Sequence, residues 1–210
     1  MPITRRSLGI SVGLGMAIAA SPGIAFAQAA NAQAADPRLG VRATGPATAP
    51  VTVTEFFSLT CGHCAAFHNG VWPRVKAELV NTGRIRMVWR DFPLDGIALA
   101  AAAVARALPE ERYEAFIGTL FQTQDRWAFA QGRQIDELAR IAALAGMDRA
   151  SLDAVLADEA LRRGILEQRV AAEREFQIRA TPSFAFNGRL HSGNLPFEQF
   201  VRLVQEAPKS

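Results

Sequence analysis

Glu55-Phe56-Phe57-Ser58-Leu59-Thr60-Cys61-Gly62-His63-Cys64 is the stretch on which the fold turns. Val51 to Phe57 alternates and is β-branched or aromatic, which predicts a strand. From Cys61 a helical pattern runs to about Val80, where Asn81-Thr82-Gly83 stops it. Pro73 falls inside it and predicts a kink or break near Val71 and Trp72. Ile85 to Phe92 reads as a second strand, parallel to the first when the helix crosses over in the usual way. A C-x-x-C motif therefore sits where a strand hands over to a helix. There the backbone dipole supplies about half a positive charge, and unpaired N–H groups point at the first thiol. Both favour the thiolate, so Cys61 reads as a nucleophile whose pKa falls below the free value of about 8.5. His63 adds an imidazolium or N–H donor. Cys64, one turn inside the helix, is placed to attack a mixed disulfide formed at Cys61, and Gly62 leaves room for a polypeptide substrate.

Other uses of the two cysteines fit less well. A purely structural Cys61–Cys64 bridge closes a very small loop, and the stabilisation from loop closure grows with loop length. Cys61, Cys64 and His68 form a C-x2-C-x3-H pattern, but a closed zinc site wants four ligands, and the only other histidines are His63 and His191. Two inert buried thiols are unusual in an exported chain. Redox chemistry is the favoured reading, with no cofactor and no metal.

Glu55 lies in an otherwise apolar strand, sharing a face with Val51, Val53 and Phe57. A carboxylate on the core side is desolvated and suits a proton relay to a buried Cys64, whereas a strand turned the other way leaves it in water. Thr181-Pro182-Ser183 places a proline directly before a β-run. A cis bond there exposes the backbone of Thr181 for pairing with an extended peptide, although on sequence alone a trans turn proline is the commoner case.

Between these regions, 96–176, the signal is helical. Tyr113, Phe116, Ile117, Leu120 and Phe121 form one apolar stripe, and Ile135, Leu138, Ile141, Ala142 and Ala145 another. Asp148 and Ser151 look like helix starts, and a further helix is expected from about Glu159 to Phe176. Ser183 to Phe186 and Arg189 to Ser192 read as strands joined by Asn187-Gly188, the strongest short hairpin signal, with a closing helix at Phe197 to Val204. The order β-α-β, helices, β-β-α predicts an α/β core with a helical insertion.

Met1 to Ala27 has a basic start, an apolar stretch and Ala25-Phe26-Ala27, the A-x-A pattern of an export signal cleaved before Gln28. Thr4-Arg5-Arg6-Ser7-Leu8 is similar to a twin-arginine signal, and an ordinary secretory start with two arginines is the other reading. Either expectation places the mature protein in an oxidising compartment such as the periplasm. Residues 28–38 read as a flexible leader, with a short edge strand near Arg38 to Arg42. The 210 residues are 50% hydrophobic and 20% charged, which excludes a disordered or collagen-like chain. The 23 basic and 20 acidic residues nearly balance once Arg5 and Arg6 are set aside, so no basic patch speaks for nucleic acid.

The segment Glu55 to Cys64 resembles the active-site strand and helix start of the thioredoxin superfamily, in its DsbA-like branch. Ala49-Pro50-Val51-Thr52-Val53, Asp91-Phe92-Pro93-Leu94, Ala180-Thr181-Pro182-Ser183-Phe184, Asn187-Gly188 and Gly193 fit the same branch. The resemblance implies a thioredoxin fold with a helical insertion, the core being 39–96 and 177–206 and the insertion 97–176. It also implies a cis Pro182 facing the dithiol, with Thr181 and Pro182 binding substrate and Glu55 as the buried acid. The implied activity is disulfide formation in extracytoplasmic proteins, with reoxidation by a quinone-linked membrane partner. Two departures pull the other way. Gly62-His63 is the dipeptide of eukaryotic disulfide isomerases, where strongly oxidising bacterial enzymes carry Pro-His, and Thr181 stands where the main oxidase has Val. A disulfide isomerase or reductase, or a metal-binding or chaperone-like module on Cys61, Cys64 and His68, are the alternatives.

Overall fold

The computed structural model describes residues 36–208, and the expected export signal lies outside them. The element order is β1 (Arg42–Thr44), β2 (Val51–Phe57), α1 (Gly62–Gly70), α2 (Trp72–Val75), β3 (Ile85–Asp91), α3 (Gly96–Ala107), α4 (Glu110–Gln122), α5 (Gln124–Trp127), α6 (Gln134–Leu144), α7 (Arg149–Ala157), α8 (Glu159–Phe176), β4 (Ser183–Phe186), β5 (Arg189–Ser192) and α9 (Phe197–Gln205). The sheet runs β1-β3-β2-β4-β5. Only β2 and β3 are parallel; the helical run between them makes the crossover, and every other pairing is antiparallel.

Alternation along β2 sends its residues to two different cores. Val53 and Phe57 face a large cluster that includes Phe67 of α1, Phe121 of α4 and Phe200 of α9. Phe56 faces the other way, packing with Phe92, Ala172 of α8, Ile178 and Ala185. The sheet is therefore covered on both sides, with the dithiol helix on the first. The kink expected at Pro73 is present. The α1 helix stops at Gly70, Pro73 falls in the first turn of α2, and residues Lys76–Val80 continue as a wider π turn.

Local signals account for much of the helical layer. Asp95, Asp148 and Asp158 cap α3, α7 and α8 by accepting from Ala98 N, Ser151 N and Leu161 N. The stripe from Tyr113 to Phe121 is buried. Of the second stripe, Leu138 and Ala142 are buried while Ile135, Ile141 and Ala145 are half-buried. Asn187 and Gly188 both take positive φ, 43° and 90°, as a two-residue hairpin turn requires.

Of the expected leader, residues 28–35 lie outside the described residues and 36–38 take part in a capped turn, and the edge strand falls at Arg42–Thr44, later than Arg38 to Arg42. Asp36 caps a single 3-10 turn at Pro37–Leu39, and Arg38 bridges Asp36 and Asp158, each at 2.7 Å. Leu39 then packs against Leu161 and Ile165 of α8, where any side chain at Gly164 would collide with it. Composition could not show this, because Asp158 and the α8 residues that hold the turn lie about 120 residues away.

One buried ion pair locks the helices to the sheet. Arg106 of α3 donates to Asp91 at the end of β3 at 2.5 Å, and to the carbonyls of Arg38 and Gly40. Tyr113 of α4 donates to the other Asp91 oxygen at 2.9 Å.

Candidate active site

Cys61 is the N-cap residue of α1, and its side chain makes no capping bond. The first-turn N–H groups are therefore free to serve the sulfur itself. Cys61 is half-exposed and Cys64 fully buried, and neither thiol is bonded to another sulfur. Their loop is held from the helical layer. Gln124 of α5, itself buried, donates to the carbonyls of Leu59 (2.9 Å) and Cys61 (3.1 Å). Thr60 donates to Asp95 at 2.6 Å, while the other oxygen of that carboxylate caps α3.

From the other side comes the loop before β4. The Thr181–Pro182 bond is cis, and the Cys61 thiol donates to the Thr181 carbonyl at 3.3 Å. The Thr181 hydroxyl is buried with no settled partner of its own. It is at hand to donate once Cys61 ionises.

The two thiols are driven apart electrostatically. The Cys61 pKa is lowered to about 5, chiefly by the hydrogen bond from the Cys64 thiol. Partial burial opposes this, and the Thr181 hydroxyl and the backbone N–H groups of Cys64 and His63 add to it. Cys64 is raised well above the ordinary thiol range by burial first, then by its bond to Cys61 and by the nearby Glu55 carboxylate. One thiol is an acidic, reachable nucleophile, and the other keeps its proton until something removes it.

Glu55 is fully buried on the α1 side of the sheet, as the core-facing reading of β2 requires. His68 lies with it, its Nε2 3.2 Å from Glu55 Oε2, and does not turn toward the cysteines as a third ligand. Among the described residues no three His, Cys, Asp or Glu side chains are grouped to hold a metal ion. Cys61, Cys64 and His68, the residues of the metal reading, form no such group, and His68 is turned to Glu55. His63 is exposed, and its backbone N–H, not its ring, appears among the groups that lower Cys61. Sequence reasoning missed Gln124 and the partnership of His68 with Glu55. The second had a signal: Cys64 and His68 are four residues apart, so they share one face of α1.

Because the Cys61 pKa is lower folded than unfolded, its contribution to the stability of the reduced protein is fully present above about pH 8.5. That contribution is lost as pH falls through about 5. The stability gap between reduced wild type and Cys61→Ala is expected to widen from pH 5 to 8.5. Urea denaturation of both proteins across that range checks it, and a gap that stays flat or shrinks refutes it.

Residues 39–206 match the family model described as Thioredoxin. A candidate protein-disulfide oxidoreductase of Rickettsia felis is 28% identical over 158 residues, which cover 75% of this chain and 56% of that protein. The chain thus spans a little over half the length of the curated relatives of this kind that it matches. Among solved structures, alpha-DsbA1 of Wolbachia pipientis superposes with a TM-score of 0.74 at 27% identity, covering 80% of this chain and 90% of that one. A thioredoxin-like oxidoreductase from Silicibacter pomeroyi gives 0.64 at 26% identity, covering 81% and 92%.

Proposed function

Because the chain belongs to the thioredoxin family, as a DsbA-like member with that fold, we propose that it catalyses thiol–disulfide exchange on protein cysteines, as an oxidase that introduces disulfides. The observation that carries this reading is the opposed pair: Cys61 acidic and accessible, Cys64 buried and protonated. In the oxidised enzyme a substrate thiolate attacks Cys61, and Cys64 leaves and takes up a proton. A second substrate thiolate then displaces Cys61, which leaves readily because its thiolate is already stabilised. The same stabilisation favours the reduced enzyme, and so makes the disulfide a better oxidant.

The Thr181 backbone, presented beside Cys61 before an edge-directed hairpin, is suited to pair with an extended substrate segment. Glu55 serves as the proton acceptor and donor for Cys64. The export-signal pattern at Met1 to Ala27 supports an extracytoplasmic site of action, and there reduced enzyme needs a membrane partner that takes its electrons to quinone. Gly62-His63 and Thr181 favour the second reading, an isomerase or reductase kept reduced by a membrane donor.

The reduction potential separates the two. Equilibration with glutathione is expected to give a value less negative than about −180 mV, whereas a value near about −270 mV supports the reductase. His63→Leu keeps the backbone N–H that serves Cys61, so it is expected to move the Cys61 pKa and the potential only a little. The change should be smaller than that from Cys64→Ala, because the exposed ring acts through screened water. A thiolate absorbance titration of the two variants checks the order, and a larger shift in His63→Leu reverses it.

A further inference from the structure

We propose that His68 is the outlet of a proton relay beneath the dithiol, a positioning residue through which Glu55 exchanges its proton with solvent. The inference rests on the exchange reading of Cys61 and Cys64. Glu55 is 0% exposed, and its Oε1 is buried without a hydrogen-bond partner. Its Oε2 meets only His68 Nε2, at 3.2 Å. A carboxyl group that takes the Cys64 proton must hand it on before the next turnover, and its own surface offers no route to water. His68 supplies one. It shares the buried face of α1 with Cys64, one turn away, and its side chain, 2% exposed against 0% for Glu55, is the member of the pair that keeps a trace of contact with the surface. An imidazole can accept a proton at one ring nitrogen and release one from the other near neutral pH.

The surroundings leave the ring to this task. His68 is boxed by Phe57, Phe67, Trp72, Trp89 and Phe121, the last stacked at 4.1 Å between ring centres. None of these titrates. Beyond Trp72 stands Glu114, which accepts from the indole N–H and is paired with Lys76 at 2.6 Å. The ionisable side chains at this site are therefore Cys61, Cys64, Glu55 and His68.

Protons and electrons balance when a mixed disulfide at Cys61 is resolved. Cys64 gives its proton to Glu55, and the Cys64 thiolate attacks Cys61. The Cys61–Cys64 bond forms, the bond to the partner breaks, and the partner sulfur leaves with the electron pair as a thiolate. Glu55 then passes the proton to His68 Nε2, and the opposite ring nitrogen releases one to water. When a substrate thiolate opens the Cys61–Cys64 bond, the proton runs back along the same path.

The test uses the reduced protein reacting with oxidised glutathione from pH 5 to 9. The first phase forms the Cys61 mixed disulfide, and the second, intramolecular phase reads its resolution by Cys64. His68→Phe is expected to slow the second phase at least about tenfold near neutral pH, leaving the first phase and the Cys61 titration unmoved. His68→Gln keeps a hydrogen bond to Glu55 but carries no proton, so it should be as slow. It also carries the test alone if the Phe variant does not fold. Glu55→Gln/His68→Phe should be no slower than Glu55→Gln, because the two act in series. A wild-type second phase in His68→Phe, recovery of the rate by Gln, or additive slowing in the double variant overturns the relay. A wild type that does not react with oxidised glutathione overturns the exchange reading itself, and the relay with it.

Discussion

Cys64→Ala is expected to accumulate stable mixed disulfides between Cys61 and substrate proteins, while Cys61→Ala forms none and loses exchange to background. The reason is positional. Only Cys61 is reachable, and only it has the first-turn N–H groups and the Thr181 hydroxyl to stabilise a departing thiolate. Cys64 is fully buried, so no protein substrate reaches it, and its task is confined to the bond with Cys61. Removing Cys64 also removes the largest of the groups that lower the Cys61 pKa, so the trapped form should be made by a thiol that titrates well above about 5. Cys64→Ser, which keeps a hydroxyl donor, should recover part of that shift. Non-reducing electrophoresis of extracts, with a thiolate titration of each variant, reads both effects. Equal trapping by Cys61→Ala and Cys64→Ala contradicts the assignment.

The largest stability effect is expected away from the sulfur atoms. Arg106→Leu leaves Asp91 buried at the end of β3 with Tyr113 as its remaining side-chain partner, since the two charged side chains are 1% and 3% exposed. Removing one member of such a pair costs about 3–5 kcal/mol, because the other charge stays desolvated. For a domain of this size that lowers the melting temperature by roughly 10 °C. The carbonyls of Arg38 and Gly40 lose their donor as well, so the turn at Pro37–Leu39 should loosen first. Tyr113→Phe, which removes one hydrogen bond and leaves the ion pair, should cost about 1–2 kcal/mol. The double variant Asp91→Leu/Arg106→Leu should recover much of the loss, since no unpaired charge remains. Urea denaturation of the three variants tests the ranking, and an Arg106→Leu protein as stable as wild type refutes it.

Features set by neighbours in sequence are legible from the residues alone. The alternation of Val51 to Phe57, the stop at Asn81-Thr82-Gly83, the Asp148 cap and the Asn187-Gly188 turn depend on backbone geometry within a few residues. The position of Cys61 at a helix start is legible for the same reason. Features set by distant partners are not. The ion pair of Arg106 with Asp91 spans 15 residues, and the reach of Gln124 to the Cys61 carbonyl spans 63. His68 suggests a ligand because it follows two cysteines at a regular spacing. Its real partner, Glu55, lies upstream in another element and is found only when both core-facing residues are placed against each other. The isomer of the Thr181–Pro182 bond is equally closed to local reading, since proline allows both, and only the resemblance points to cis.

The suspension of the cysteine loop from Gln124 and Asp95 has a consequence for recombination. A chimera that grafts the helices of another protein onto this sheet would cut the chain near positions 96 and 176, where the connections look simplest. Asp95 stays behind in such a graft and still holds Thr60, but Gln124 leaves with the transplanted segment. The carbonyls of Leu59 and Cys61 would then face the new helices without their donor, and the loop that sets the height of the nucleophile above α1 would be free to shift. Interchangeable parts in this molecule are therefore not bounded by the ends of helices and strands. Any successful transplant must carry a glutamine, or another two-handed donor, at the place where α5 meets the loop.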